Sequence, residues 1–276
     1  MQKFTKLMCA ELALCLLAGC NASVEEETSS SSSSTTTAAT TASEAESTTA
    51  SISAASTSSS AVNFENIASS ELYQAYYFML FMVKEGHRLP DGFGALEYDA
   101  CYAEENQFVV CDVDGDGVDE VVLEWCACEP ESQCTYVFEY ETDTDEWNLE
   151  LQTAGAAEFY DNGICEAYYI DPAGLYSSYS PYLIYSYSPE TDTFESCGSV
   201  SALEKIACDE QGVDFPTSSD TDSAGVVFTI DYEGYSSDYY NLSEYLDFIG
   251  ELQGEYLPTP YMTLIDENLE SEFRDR

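Results

Sequence analysis

The stretch Asp112-Val113-Asp114-Gly115-Asp116-Gly117-Val118-Asp119-Glu120 lies between two apolar runs, Phe108-Val109-Val110 and Val121-Val122-Leu123. Carboxylates stand at positions 1, 3 and 5 of the stretch, glycines at 4 and 6, and an acid again at 9. That alternation turns Asp112, Asp114 and Asp116 to the inside of a tight bend. The glycines permit the bend, and the Val118 carbonyl and Glu120 complete a shell of oxygens. Calcium accepts roughly six to eight oxygens in flexible geometry, whereas magnesium demands a strict octahedron, so calcium is the natural occupant. An EF-hand would need a bidentate Glu at position 12 and flanking helices. Leu123 holds position 12, Glu124 comes one residue late, and the flanks are β-branched. The segment therefore reads as a calcium loop joining two strands.

Over about residues 106–125 the chain resembles the FG-GAP/VCBS-type calcium hairpin of integrin-like β-propellers. It is also similar to bacterial cell-surface lipoproteins that carry a DxDGDGxxE hairpin after an N-terminal helix. Glu120 departs from the integrin-type loops, which usually end in Asp. The resemblance implies a calcium-stabilised surface domain and no established activity.

An internal echo accompanies the hairpin. Tyr136-Val137-Phe138-Glu139-Tyr140-Glu141-Thr142-Asp143-Thr144 is echoed by Leu183-Ile184-Tyr185-Ser186-Tyr187 followed by Glu190-Thr191-Asp192-Thr193, with Thr142 and Thr191 49 residues apart. Asp112 moved by the same interval lands on Asp161, which opens the hairpin turn Asp161-Asn162-Gly163. A unit of two hairpins thus recurs at about the size of a propeller blade, and the second copy lacks the cation ligands. Two units are too few to close a propeller, so a partial propeller-like or sandwich-like antiparallel meander is expected.

Helices are expected at both ends of the folded part. Phe64, Ile67, Leu72, Tyr76, Met79, Leu80 and Val83 recur at helical spacing, with Ser69 or Ser70 as N-cap and Gly86 as stop. Tyr76 to Val83 is apolar nearly all round, which predicts burial against a sheet. Gly225 to Tyr232 reads as a further strand, and Asn241 to Leu252 as a helix capped by Asn241 or Ser243. Pro258 and Pro260 then break the chain. The fold class expected is α+β: an N-terminal helix packed on antiparallel hairpins, with a C-terminal helix.

Three segments are expected. Residues 1–19 read as a lipoprotein signal peptide: Lys3 and Lys6 precede a mostly apolar run too short to span a bilayer, and Leu17-Ala18-Gly19-Cys20 resembles the bacterial lipobox. That resemblance implies a diacylated Cys20 as the anchor. Residues 20–61 carry that cysteine and a tether; positions 23–61 hold 15 Ser and 9 Thr in 39 residues and no aromatic. Such composition cannot bury enough apolar area to offset ordering entropy, so disorder is expected. Residues 62–276 are the globular calcium-binding domain.

The chain carries 53 acidic residues against 7 Lys+Arg, a net charge of −46. A surface so negative repels phosphate backbones and excludes nucleic acid as a partner. It also repels anionic lipid, so the anchor must hold the protein to the membrane. Bound divalent cations would relieve part of the self-repulsion. Outside Cys9, Cys15 and Cys20, eight cysteines remain, an even count that in an exported domain predicts disulfides. Cys101 with Cys111, and Cys126 or Cys128 with Cys134, are the local candidates. A zinc site on Cys126-x-Cys128 lacks a second pair and a nearby His.

For chemistry the chain offers one histidine, His87, in a Gly/Pro-rich loop, and so many carboxylates that a pair for glycoside hydrolysis has no distinguishing signature. Tyr176, Tyr179, Tyr182 and Tyr185 recur every third residue, followed by Tyr187, and Tyr176, Tyr179 and Tyr182 could present flat faces to a sugar or peptide, although core or cross-strand packing is the stronger reading, because Leu183-Ile184-Tyr185-Ser186-Tyr187 alternates as a strand should. Together these features predict a lipid-anchored, calcium-stabilised binding or interaction module, extracytoplasmic and exposed at the cell surface, with a carbohydrate or surface protein as partner. The alternatives are a cell-wall or glycan hydrolase with a structural calcium, and a purely structural, cation-buffering surface protein.

Overall fold

The hairpin of the sequence reading forms the start of a five-stranded sheet. A computed structural model describes residues 68–97, 99, 101–126, 133–171, 174–274 and 276. The signal peptide, Cys20, the tether, Cys128 and the first two residues of the expected helix, Phe64 and Ile67, lie outside the described residues. Strands β1 (Gln107–Cys111), β2 (Glu120–Trp125), β3 (Cys134–Glu141) and β4 (Glu146–Ala154) form an antiparallel meander. Strand β12 (Met262–Thr263) adds to the free edge of β1. A second meander follows: β5 (Ala156–Tyr160), β6 (Ile164–Tyr168), β7 (Tyr182–Ser188) and β8 (Thr193–Glu204). With β9 (Val226–Asp231), β10 (Tyr240–Asn241) and β11 (Tyr256–Leu257) it makes a seven-stranded sheet in the order β10-β9-β8-β7-β6-β5-β11.

Side-chain alternation sorts the apolar residues into three layers of core. Phe108, Val110, Val121, Leu123 and Phe138 leave one face of the five-stranded sheet. They share a buried cluster with Tyr76, Leu80 and Val83 of helix α1 (Glu71–Gly86). Val109, Val122, Val137 and Leu151 leave the other face and meet Phe159, Cys165, Ala167, Tyr185 and Phe194 of the seven-stranded sheet. The outer face of that sheet buries Ile184, Val200, Phe228 and Ile230 against Phe248 and Leu252 of helix α3 (Leu242–Leu252). The described residues are therefore a mixed α+β fold whose two antiparallel sheets stack like a sandwich. β2 is covered on both faces, which is why Val121-Val122-Leu123 reads as an unbroken apolar run.

The internal echo has a structural counterpart. β5 begins 49 residues after β1, and each meander ends in a hairpin whose last turn residue, Asp145 or Asp192, takes a left-handed backbone (φ 60° and 53°). In both turns a tyrosine hydroxyl from the incoming strand donates to that aspartate: Tyr140 to Asp145, and Tyr187 to Asp192. Both meanders also bulge at the same place. Val137 pairs with Leu151 and Phe138 with Leu149, which leaves Glu150 as the extra residue. Ile184 pairs with Gly198 and Tyr185 with Ser196, which leaves Cys197.

Several local expectations need correction. α1 is not buried all round: Phe78 is 51% and Met82 39% exposed. Its left-handed C-cap is His87 (φ 52°), with Gly86 still helical. Pro258 and Pro260 do break the chain between elements, but β12 and helix α4 (Asp266–Phe273), which the pattern did not announce, follow and place Leu269 and Phe273 in the α1 core. Helix α2 (Lys205–Gln211) has too few residues for a visible helical period. Cys101 and Cys111 are free thiols, as are Cys165, Cys197 and Cys208. The chain passes from Cys101 through a short turn at Ala103–Glu105 into the extended strand β1, not into a hairpin. No helix among the described residues is long and apolar enough to cross a membrane.

Candidate metal centre

The β1–β2 connection opens where Cys111 pairs with Glu120, so Asp112 to Asp119 form the loop. Gly115 (φ 86°) and Gly117 (φ 97°) supply two left-handed steps, and a Cβ at either position would meet nothing within 4 Å. The demand is thus on backbone angle, not on space. The carboxylates shape the turn from within. Asp112 accepts from the backbone of Gly115 (2.7 Å) and Gly117 (3.1 Å). Asp114 accepts from Asp116 N (2.9 Å), and Asp116 from Val118 N (2.7 Å). Val118 itself is half-buried in the turn.

One oxygen from each of Asp112, Asp114, Asp116 and Glu120 lies within 4.8 Å of the others. A calcium ion with oxygens at about 2.3–2.6 Å spans roughly 4.6–5.2 Å between opposite ligands, so a single ion can touch all four. Glu120 is fully buried, and Val113 N donates to its Oε2 at 2.7 Å. Its Oε1 is buried without a hydrogen-bond partner. Burial pushes its carboxyl up to about 10, and the negative charges of Glu150, Asp114 and Asp112 push the same way. Acidic neighbours converging on a buried carboxylate with one unpartnered oxygen favour either a proton or a cation at Glu120.

Asp119, at position 8, turns its side chain the other way. Its Oδ2 accepts from the Tyr73 hydroxyl (2.8 Å) and from Arg276 Nη1 (2.5 Å), while its carbonyl accepts from the Tyr76 hydroxyl. Asp119 therefore fastens the loop base to α1 and to the last residue.

Sequence reasoning missed the carboxylates that arrive from elsewhere. Glu139 and Glu150 reach the same end of the inter-sheet core from β3 and β4, and Asp192 reaches it from the β7–β8 turn. Burial raises Glu150 to about 9 and Glu139 to about 7, with neighbouring acids adding to both. The Tyr187–Asp192 pair belonged to the legible echo. Nothing in the sequence marks Glu150, because only the stacking of the second sheet makes its side of β4 an interior one.

The tyrosine stripe is dispersed. Tyr182 is 2% exposed inside the α3 core. Tyr176 is half-buried, and its hydroxyl is held by the backbone of Asp171. Tyr179 packs edge-on to Phe228 with ring centroids 5.2 Å apart. It also lines a cleft of about 400 Å³ with Ser178, Glu204, Lys205, Asp209 and Leu242. Burial alone would raise Glu204. Bonds from Ser177 Oγ and from the backbone of Ser177, Ser178 and Tyr179 hold it below the usual range. No protein-family model, curated protein or solved structure matches the chain.

Proposed function

We propose that the protein is a lipid-anchored surface module of the binding or interaction type, whose fold is stabilised by calcium in the loop Asp112–Glu120. The observation that carries the reading is the convergence of four carboxylates in a pre-turned loop, with one buried Glu120 oxygen lacking any partner. Asp112, Asp114, Asp116 and Glu120 would hold the ion, and the Val118 carbonyl is the fifth oxygen expected from the spacing. Calcium there neutralises charge at the mouth of the inter-sheet core and so favours the packed sheets. The leader ending at Cys20 and the Ser/Thr-rich tether support export and anchoring. Binding is favoured over glycan hydrolysis because Glu204, in the Tyr179 cleft, is committed to four hydrogen bonds that hold residues 177–179. The finer family likeness, to FG-GAP/VCBS-type hairpins, is part of the same proposal.

Thermal unfolding with and without calcium tests the reading. Extracellular sites of this kind bind at about 0.1–1 mM. At about 2 mM calcium and a dissociation constant of about 0.1 mM, linkage gives about 1.8 kcal/mol, or several degrees in Tm. Asp112→Ala and Asp114→Ala should each abolish most of that shift. A full shift surviving in Asp114→Ala would mean diffuse screening of the acidic surface and no specific site. Cys20→Ala should move the protein out of the membrane fraction, and a glycan and peptidoglycan-fragment screen with and without calcium addresses the ligand.

A further inference from the structure

The acidic end of the inter-sheet core holds more carboxylate than one loop ion uses. One oxygen from each of Asp114, Glu150 and Asp192 lies within 4.8 Å of the other two. Glu150 is 2% exposed, and both of its oxygens are buried without a hydrogen-bond partner. Buried carboxylates are ordinarily paired, hydrogen-bonded or metal-bound, so this side chain points to a ligand.

The position is built by the fold. Along β4, Trp147 and Leu149 face the α1 core, and Leu151 faces the second sheet. The bulge sets Glu150 beside Leu151 on that inner side. Asp192 is held just as firmly. Its backbone is left-handed, its Oδ1 accepts from the Tyr187 hydroxyl at 2.6 Å, and its Oδ2 accepts from Asn148 Nδ2 at 2.8 Å. The Tyr187 ring also carries its hydroxyl close to Asp114. The three carboxylates thus come from the β1–β2 loop, the β4 bulge and the turn of the other sheet.

We propose that Asp114, Glu150 and Asp192 form a second divalent-cation subsite, which shares Asp114 with the loop ion and ties the two sheets together. An all-oxygen set with this spread suits calcium. Through the shared Asp114 the two ions are coupled, and the second meander, whose own first turn lacks ligands, takes part in binding through Asp192. The inference rests on the reading of the loop as a calcium site.

Calorimetric titration of the full chain with calcium, after thorough chelation, counts the ions. Two equivalents are expected. Glu150→Gln and Asp192→Asn should each bind one. Loop affinity should weaken in each by about tenfold, the low end of the range for a change beside a metal shell. Asn tolerates the left-handed backbone, so Asp192→Asn keeps the turn. Asp116→Ala, outside the second triad, should also leave one. A single wild-type equivalent that neither Glu150→Gln nor Asp192→Asn alters overturns the second subsite and spares the loop. A single ion that survives Asp116→Ala but vanishes in Glu150→Gln overturns the loop reading and keeps the second subsite. No bound calcium at all overturns both.

Discussion

Glu124→Gln isolates the cost of holding a carboxylate between the sheets, away from the metal centre. Glu124 lies on β2 and is 8% exposed. Burial pushes it from the ordinary 4.5 up to about 7. Below the unfolded value both states hold the proton, and the group does not affect stability. As pH rises from there the unfolded chain releases the proton while the folded protein keeps it, so stability falls until about pH 7. A tenfold difference in proton affinity is worth about 1.4 kcal/mol, which makes the full effect roughly 3 kcal/mol. Gln has no proton to release. The stability of Glu124→Gln relative to wild type should therefore grow by roughly 3 kcal/mol between about pH 4.5 and pH 8. In a domain of this size that corresponds to roughly 6–12 °C in Tm. Urea unfolding followed by tryptophan fluorescence, at fixed calcium and a series of pH values, measures it. Parallel pH profiles for the two proteins would refute the reasoning.

Further substitutions probe the frame around the site. Arg276 bonds Asp119 (2.5 Å), Glu272 (2.5 Å) and the Val110 carbonyl (3.0 Å). Arg276→Ala should cost about 2 kcal/mol in chemical denaturation, with or without calcium. Asp119→Asn should likewise lower the baseline Tm yet retain the calcium-induced shift, because its side chain faces away from the ion. Gly155 has φ 81°, and a Cβ there would sit 1.5 Å from the Tyr168 carbonyl oxygen. Gly155→Ala should destabilise by roughly 2–4 kcal/mol in the same unfolding assay. Asn241 and Glu244 form a reciprocal capping box at the start of α3, so Asn241→Ala should cost about 1 kcal/mol, read as a lower urea midpoint.

The local chemistry of this protein is written in its sequence. The alternation of Asp112, Asp114 and Asp116 with Gly115 and Gly117 specifies a loop, because backbone angle and side-chain direction repeat over neighbouring residues. The same is true of the α3 cap and of the hairpin turns ending at Asp145 and Asp192. Each of these features is held by contacts among residues a few positions apart. What joins them is not local. The side chain of Glu150 lies on the inner face of β4, and nothing in Glu146–Ala154 announces that a second sheet covers that face. Asp192 enters the cluster only because the second meander stacks on the first, and Arg276 reaches Asp119 only because α4 packs against α1. The sequence by itself thus determined one loop and a repeated unit. The stacking of the two units decided which carboxylates share that loop's surroundings, because burial between sheets depends on register and packing that no single segment contains.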